Sequence, residues 1–241
     1  MVDYEMTTSK KPIYLLAGGR QADPNALNII LQNVFRDSGS LSPSIAYLGT
    51  ANRDDSSFFQ RVSDRFKKAG IKKVTQVLIA SDNADLGKAK EIMRTADIIF
   101  ISGGDVEEGM RILEAKNITF FLRRLYETGK PFFGLSAGSI ILSKKWVRWS
   151  DPNDDSTADL FSCLGFASII CDTHGEQDNW EELQVALKLA ENEMVGYGIV
   201  SGAAIKVHSN GTVEALSQPI HRYVRKANKI IRSLDLLPDE G

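Results

Sequence analysis

The chain has 241 residues, 43% of them hydrophobic and 25% charged, enough for one large globular core. Lys plus Arg number 29 against 31 for Asp plus Glu, a balance that excludes the electrostatic footprint of a nucleic-acid or anionic-membrane binder. No apolar run approaches the ~20 residues of a membrane helix, and MVDYEMTTSKK lacks the apolar stretch of a secretory signal, so a cytoplasmic protein is expected. Cys163 and Cys171 suit neither a disulfide framework nor a paired CxxC zinc site and are expected as reduced core thiols.

Short β-branched and apolar runs alternate with longer helical patterns over the first half of the chain, the signature of βαβ units on a mainly parallel sheet. Strands are expected at 13–18 (IYLLAG), 44–50 (SIAYLGT), 74–80 (VTQVLIA), 97–102 (DIIFIS) and 131–136 (PFFGLS), and their near-continuous hydrophobicity implies burial on both faces. Helical patterns at 24–37, 58–70 and 86–96 and a pair over 106–129 lie between them, with Pro24 placed for a helix start and Gly70 for a helix end. After residue 142 come a strand-like KWVRWS, an acidic loop DPNDDSTAD and another apolar run, ASIICD (167–172). Asp178 and Glu181 then have capping-box spacing before a helix whose Trp180, Leu183, Leu187 and Ala190 share one face. The stretch 202–216 reads as two strands joined at Asn210-Gly211. The tail from Ile220 to Leu237 carries Arg222, Arg225, Lys226, Lys229 and Arg232 beside Tyr223, Ala227, Ile230 and Ile231, and reads as an amphipathic helix on the protein's own surface or in a homodimer contact.

The fold class implied is α/β, a doubly wound, mainly parallel sheet flanked by helices, with a C-terminal β-hairpin and a basic C-terminal tail. Its divisions are a flexible N-terminus (1–11), an α/β domain (12–218) and a C-terminal extension (219–241).

Gly134-Leu135-Ser136-Ala137-Gly138 matches G-x-S-x-G, in which a sharp strand-to-helix turn exposes a strained serine above the sheet. The motif alone is weak, but it follows an expected strand and opens a plausible helix, IILSKK. A nucleophilic serine needs a base, and only three histidines are present. His208 sits in the hairpin and His221 opens the basic tail, whereas His174 stands just past the apolar strand 167–172, where a parallel sheet offers its active edge. Acyl transfer also needs donors for the oxyanion. The N–H of Ala137 is one, and Gly103-Gly104, between a strand and a helix, can supply a second. Read as a nucleotide loop, neither SGGD nor LLAGGR contains G-x-G-x-x-G or a Walker sequence.

Three elements in fixed order, GGD (103–105), GLSAG (134–138) and DTH (172–174), resemble the peptidase E and cyanophycinase family of serine peptidases, whose domain is similar to a class I glutamine amidotransferase with serine at the elbow. The resemblance runs over about residues 12–216. It implies Ser136 as nucleophile, His174 as general base and then acid, and Gly104 with Ala137 as oxyanion donors. It also implies a substrate site including Gly103, Asp105 and Asp151, the last placed where the family's aspartyl dipeptidases keep an aspartate, and a small peptide or amide as substrate. No cofactor is implied. DPNDDS is not a calcium loop, because Ser156 stands at the turn glycine and Ser162 at the bidentate glutamate.

Two departures from the family pattern bear on chemistry. Where the dipeptidases place a triad glutamate this chain has Ser201, so Asp172 or Glu176 must supply the charge, or catalysis is slow. Asp172 and His174, one residue apart on an extended segment, can face the same side. After His174 the chain continues GEQDNWEEL, without the arginines that bind a substrate carboxylate. Glu176, Asp178 and Asp151 there favour a cationic or amine-bearing substrate instead. The competing readings are an amidase or amidotransferase-like enzyme on a non-peptide amide, and a binding protein of the same fold whose triad has decayed. The cluster Trp146, Arg148 and Trp149 reads as an edge strand with one buried tryptophan, or as a stacking surface for substrate.

Overall fold

The computed structural model describes residues 10–19, 24–40, 42–151, 153–191, 194–227 and 229–239; most of the expected flexible N-terminus lies outside them. Five runs of apolar residues form parallel strands: β1 (Ile13–Leu16), β2 (Ser44–Leu48), β3 (Lys73–Val77), β4 (Ile98–Ile101) and β5 (Phe132–Leu135). Their side chains alternate between two cores, as the two-residue period of a strand requires. Ile13, Leu15, Ile99, Ile101 and Phe132 face one side, and Tyr14, Leu16, Ile98, Phe100 and Phe133 face the other.

Helices α1 (Pro24–Ser38) and α2 (Ser56–Lys68) cover the second face, where Phe66, Phe100 and Phe133 stack in a cluster with centroids 4.7 to 5.6 Å apart. Helices α3 (Leu86–Thr95), α4 (Val106–Ala115), α5 (Thr119–Glu127) and α6 (Ala137–Leu142) cover the first. The sheet is completed by β10 (Ala204–Val207) and β11 (Val213–Leu216), an antiparallel hairpin that pairs through β10 with β1, giving the order β11-β10-β1-β5-β4-β2-β3. The expected α/β architecture is therefore present, with the hairpin at the sheet edge.

Between these parts, β6 (Lys145–Trp149) and β7 (Ala158–Ser162) form a separate antiparallel pair. A second sheet contains β8 (Ile170–Thr173), β9 (Val195–Ile199), β12 (His221–Lys226) and β13 (Lys229–Arg232), in the order β13-β12-β9-β8. Helix α7 (Glu181–Leu189) packs on it, burying Leu183 and Leu187 together with the preceding Trp180.

Two expectations are corrected here. The tail is a β-hairpin rather than a helix: its basic residues fit either period, and the open edge of β9, whose backbone groups need partners, pairs with β12. The helix after Asp178 starts at Glu181 without a capping box. Asp178 accepts a hydrogen bond from Trp180 N at 3.0 Å, and Trp180 occupies the N-cap in a left-handed conformation.

The connection from β5 to α6 is packed backbone against backbone. A Cβ at Gly138 would lie 2.0 Å from Ile101 O, and one at Gly134 would lie 2.5 Å from the Gly138 carbonyl. Gly138→Ala is therefore expected to destabilise the protein by about 3 kcal/mol or more, the upper end of overpacking costs, because backbone rather than a flexible side chain would have to move. Urea titration measures this; an unchanged midpoint would mean that α6 shifts freely on the sheet.

Candidate active site

The close packing of α6 under β4 and β5 leaves Ser136 at the turn with φ 53 and ψ −123, a conformation that costs on the order of 1–3 kcal/mol for a residue with a side chain. Three hydrogen bonds tie the turn to the end of β1. Ser136 N donates to Leu16 O at 2.8 Å, and the fully buried Ser139 hydroxyl both donates to Leu16 O and accepts from Leu16 N, each at 2.9 Å. Ser139 had no recognisable signal in the sequence, since its role lies in a contact with a strand 123 residues away.

His174 leaves the end of β8 with φ 48, and its N–H donates to Ile199 O at 2.9 Å. This left-handed step turns the ring toward the elbow, where Nε2 lies 2.7 Å from Ser136 Oγ. With the ring proton on Nδ1, the hydroxyl donates to Nε2, the arrangement in which an imidazole can remove the hydroxyl proton. Among the described residues, no hydrogen-bond partner meets Nδ1.

Gly104 approaches from the loop after β4 with φ 145, and a Cβ there would lie 2.0 Å from Ala51 O. The loop is clamped to the 3₁₀ turn Thr50–Asn52. Asp105 N donates to Ala51 O at 2.7 Å, and the Asn52 side-chain amide donates to Gly103 O at 3.0 Å and Ser102 Oγ at 2.8 Å. The N–H groups of Gly104 and Ala137 have no hydrogen-bond partner among the described residues, so both are free to bind an oxyanion.

Ser136, His174, Gly104, Ala137 and Asp172 line one cavity of about 250 Å³, with Ile140, Trp146, Asp178 and Glu182 among its other walls. Other expected site residues are placed elsewhere. Asp105 caps α4, accepting from Glu108 N at 2.8 Å, and Gly103 is buried behind the elbow. Asp151 is exposed in the loop after β6, accepting from Asn153 N at 2.9 Å. Glu176 reaches across to the backbone N–H of Ser201 at 2.5 Å. Glu182 was not anticipated; the later start of α7 decides which carboxylate of the helix's first turn faces the cavity. A larger cavity of about 520 Å³, lined by Leu27, Leu31, Phe66 and Leu135, lies over the opposite face of the sheet and holds neither Ser136 nor His174.

With this geometry in view, comparison with known proteins is decisive for the family. The model of peptidase family S51 matches residues 13–215. The chain belongs to peptidase family S51. It is 24% identical over 196 residues to the cyanophycinase of Synechococcus elongatus, covering 78% of this chain and 61% of that protein, so it spans about three-fifths of the length of that relative. The crystal structure of a peptidase from an acI-B1 Actinobacterium superposes with a TM-score of 0.73 at 15% identity, covering 96% of this chain and 98% of the other. That of a putative peptidase E protein from Listeria monocytogenes EGD-e gives 0.62 at 17% identity, covering 86% and 99%. These structures share the fold.

Asp172 is the buried carboxylate of the cavity. It is only 7% exposed and accepts a hydrogen bond from Thr173 N at 2.7 Å rather than from His174. Burial, and then the charges of Glu182, Asp178 and Glu176, push its carboxyl up to about 7, against the Thr173 hydrogen bond, which favours the ionised form. The native protein therefore binds a proton that the unfolded chain has released between about pH 4 and pH 7, and this group's contribution falls as pH rises through that window. Asp172→Asn, which removes the buried charge, is expected to stabilise the protein near pH 8 by up to roughly 4 kcal/mol relative to its effect near pH 3, where the carboxyl is protonated in both states. Denaturant titrations at the two pH values check this; an effect independent of pH would show that Asp172 is not held protonated by its surroundings.

Proposed function

We propose that this S51 protein is a serine-type hydrolase cleaving short peptides through an acyl-enzyme on Ser136. The observation that carries the reading is the 2.7 Å approach of Ser136 Oγ to His174 Nε2 at a strained elbow, beside two N–H groups without a partner among the described residues. Oγ attacks the scissile carbonyl carbon while Nε2 takes its proton, and the carbonyl oxygen, now anionic, is held by Gly104 and Ala137. Collapse of this intermediate breaks the C–N bond, and the leaving amine takes the proton from Nε2. Water then attacks the ester, giving a proton to Nε2, and the second collapse returns that proton to Oγ and releases the acid. A cavity of about 250 Å³ suits one residue of a short substrate.

The imidazolium needs a compensating charge, and Ser201 cannot supply it. Glu176 and Asp172 are the two candidates: Glu176 holds the amide of Ser201, the position at which the family glutamate is absent, and Asp172 accepts from Thr173 through Oδ1. The lack of a partner on Nδ1 among the described residues favours one second reading, a binding protein of the same fold with a decayed triad.

Labelling with a fluorophosphonate probe at about pH 8, followed by peptide mapping, separates these readings. Modification confined to Ser136 and lost in Ser136→Ala and His174→Ala is expected; unlabelled but folded wild-type protein would favour the binding protein. Glu176→Gln is expected to lower kcat about 10- to 1000-fold with a smaller change in KM, as for loss of a charge behind a catalytic imidazole. An unchanged kcat would remove Glu176 from the mechanism.

A further inference from the structure

The protein pairs many of its surface carboxylates with arginine. Glu108 meets Arg53 and Arg111, Glu91 meets Arg94, and Asp235 meets Arg232. The cavity beside Ser136 is treated differently. Asp172, Asp178 and Glu182 line it, and no lysine or arginine does so among the described residues. None of the three takes part in an ion pair among the described residues.

Asp172 is more than nine-tenths buried, and its Oδ2 has no hydrogen-bond partner among the described residues. Oδ2 of Asp172 and Oδ1 of Asp178 flank Gly175, 3.1 and 3.2 Å from the point where a Cβ would sit, with Trp180 Cε3 packed 3.0 Å from the same point and Trp180 N donating to Asp178 Oδ1. Burial, then the charges of Glu182, Asp178 and Glu176, holds the carboxyl of Asp172 above the ordinary carboxylate range, and burial, then Asp178 and Glu181, does the same for Glu182. Val106, Ile140 and Trp146 line the same cavity beside Ser136 and supply its apolar surface.

A cavity lined by both apolar side chains and carboxylates, with no lysine or arginine among the described residues, fits a side chain with a methylene stem and a cationic head. It does not fit a substrate carboxylate, which would add a further negative charge beside three acidic side chains. Resting on the hydrolase reading above, we infer that this cavity takes a lysine or arginine side chain of the residue whose carbonyl Ser136 attacks, its stem against Ile140 and Trp146 and its cationic head between Asp172, Asp178 and Glu182.

The test compares lysinamide with norleucinamide, which have the same α-ammonium and nearly the same stem, so that the difference reads the side-chain charge alone. Calorimetry on Ser136→Ala protein at about pH 8 is expected to give lysinamide an affinity about tenfold or more higher, the effect of one well-placed charge pair. Asp178→Asn and Glu182→Gln, added singly, should each reduce that preference severalfold, and in wild-type protein Lys-X dipeptides should be cleaved faster than norleucyl-X and Asp-X. Equal affinities, or tighter binding of aspartic acid amide, would overturn the inference. Preferential lysinamide binding without peptide cleavage would leave the cation site standing and remove the hydrolase reading; cleavage without a basic preference would do the reverse.

Discussion

The contact on which the rest of the site depends is backbone against backbone, the approach of α6 to the ends of β4 and β5. Gly138 lies so close to Ile101 O that no side chain fits, and Gly134 in turn packs against the Gly138 carbonyl. With both faces of the sheet sealed by apolar side chains, the helix cannot move away without opening the core. The strain falls on the residue between, Ser136, whose conformation is maintained by Ser139 and Leu16 rather than by local preference. Strain kept by surrounding packing fixes a hydroxyl above a sheet with little freedom to reorient.

The other groups arrive from separate parts of the fold, each on a backbone held in an uncommon conformation. The Gly104 loop is anchored by Ala51 and Asn52, and His174 by Ile199. These anchors lie on β-strand ends or the turns that follow them, so the reacting geometry inherits the rigidity of two sheets. The acidic wall has a different origin. Asp172 belongs to β8 of the second sheet, Asp178 to the loop after it and Glu182 to α7, so their juxtaposition depends on how that helix seats on β8 and β9. The β12–β13 hairpin extends the same sheet through β9, and Arg225 ties it to the helix end by donating to Ala190 O at 2.6 Å.

The amino-acid order alone determined the alternating pattern of the main sheet, its burial on both faces, the hairpin at 202–216, the elbow at Ser136 and the choice of His174. These are local properties: periodicity, turn residues and a shortage of histidines. The tertiary structure decided what local pattern leaves open. The basic tail suits a helix or a strand until the edge of β9 selects the strand. The apposition expected of Asp172 and His174 on one extended segment depends on regular alternation, which the left-handed backbone of His174 interrupts, and Asp172 bonds to Thr173 instead. Asp105 and Asp151 carry the same charge as Asp178 and Glu182, but the first two end in a helix cap and a surface turn while the others face the cavity. Side-chain chemistry is written residue by residue, whereas the direction in which a carboxylate points follows from packing between elements far apart in the chain.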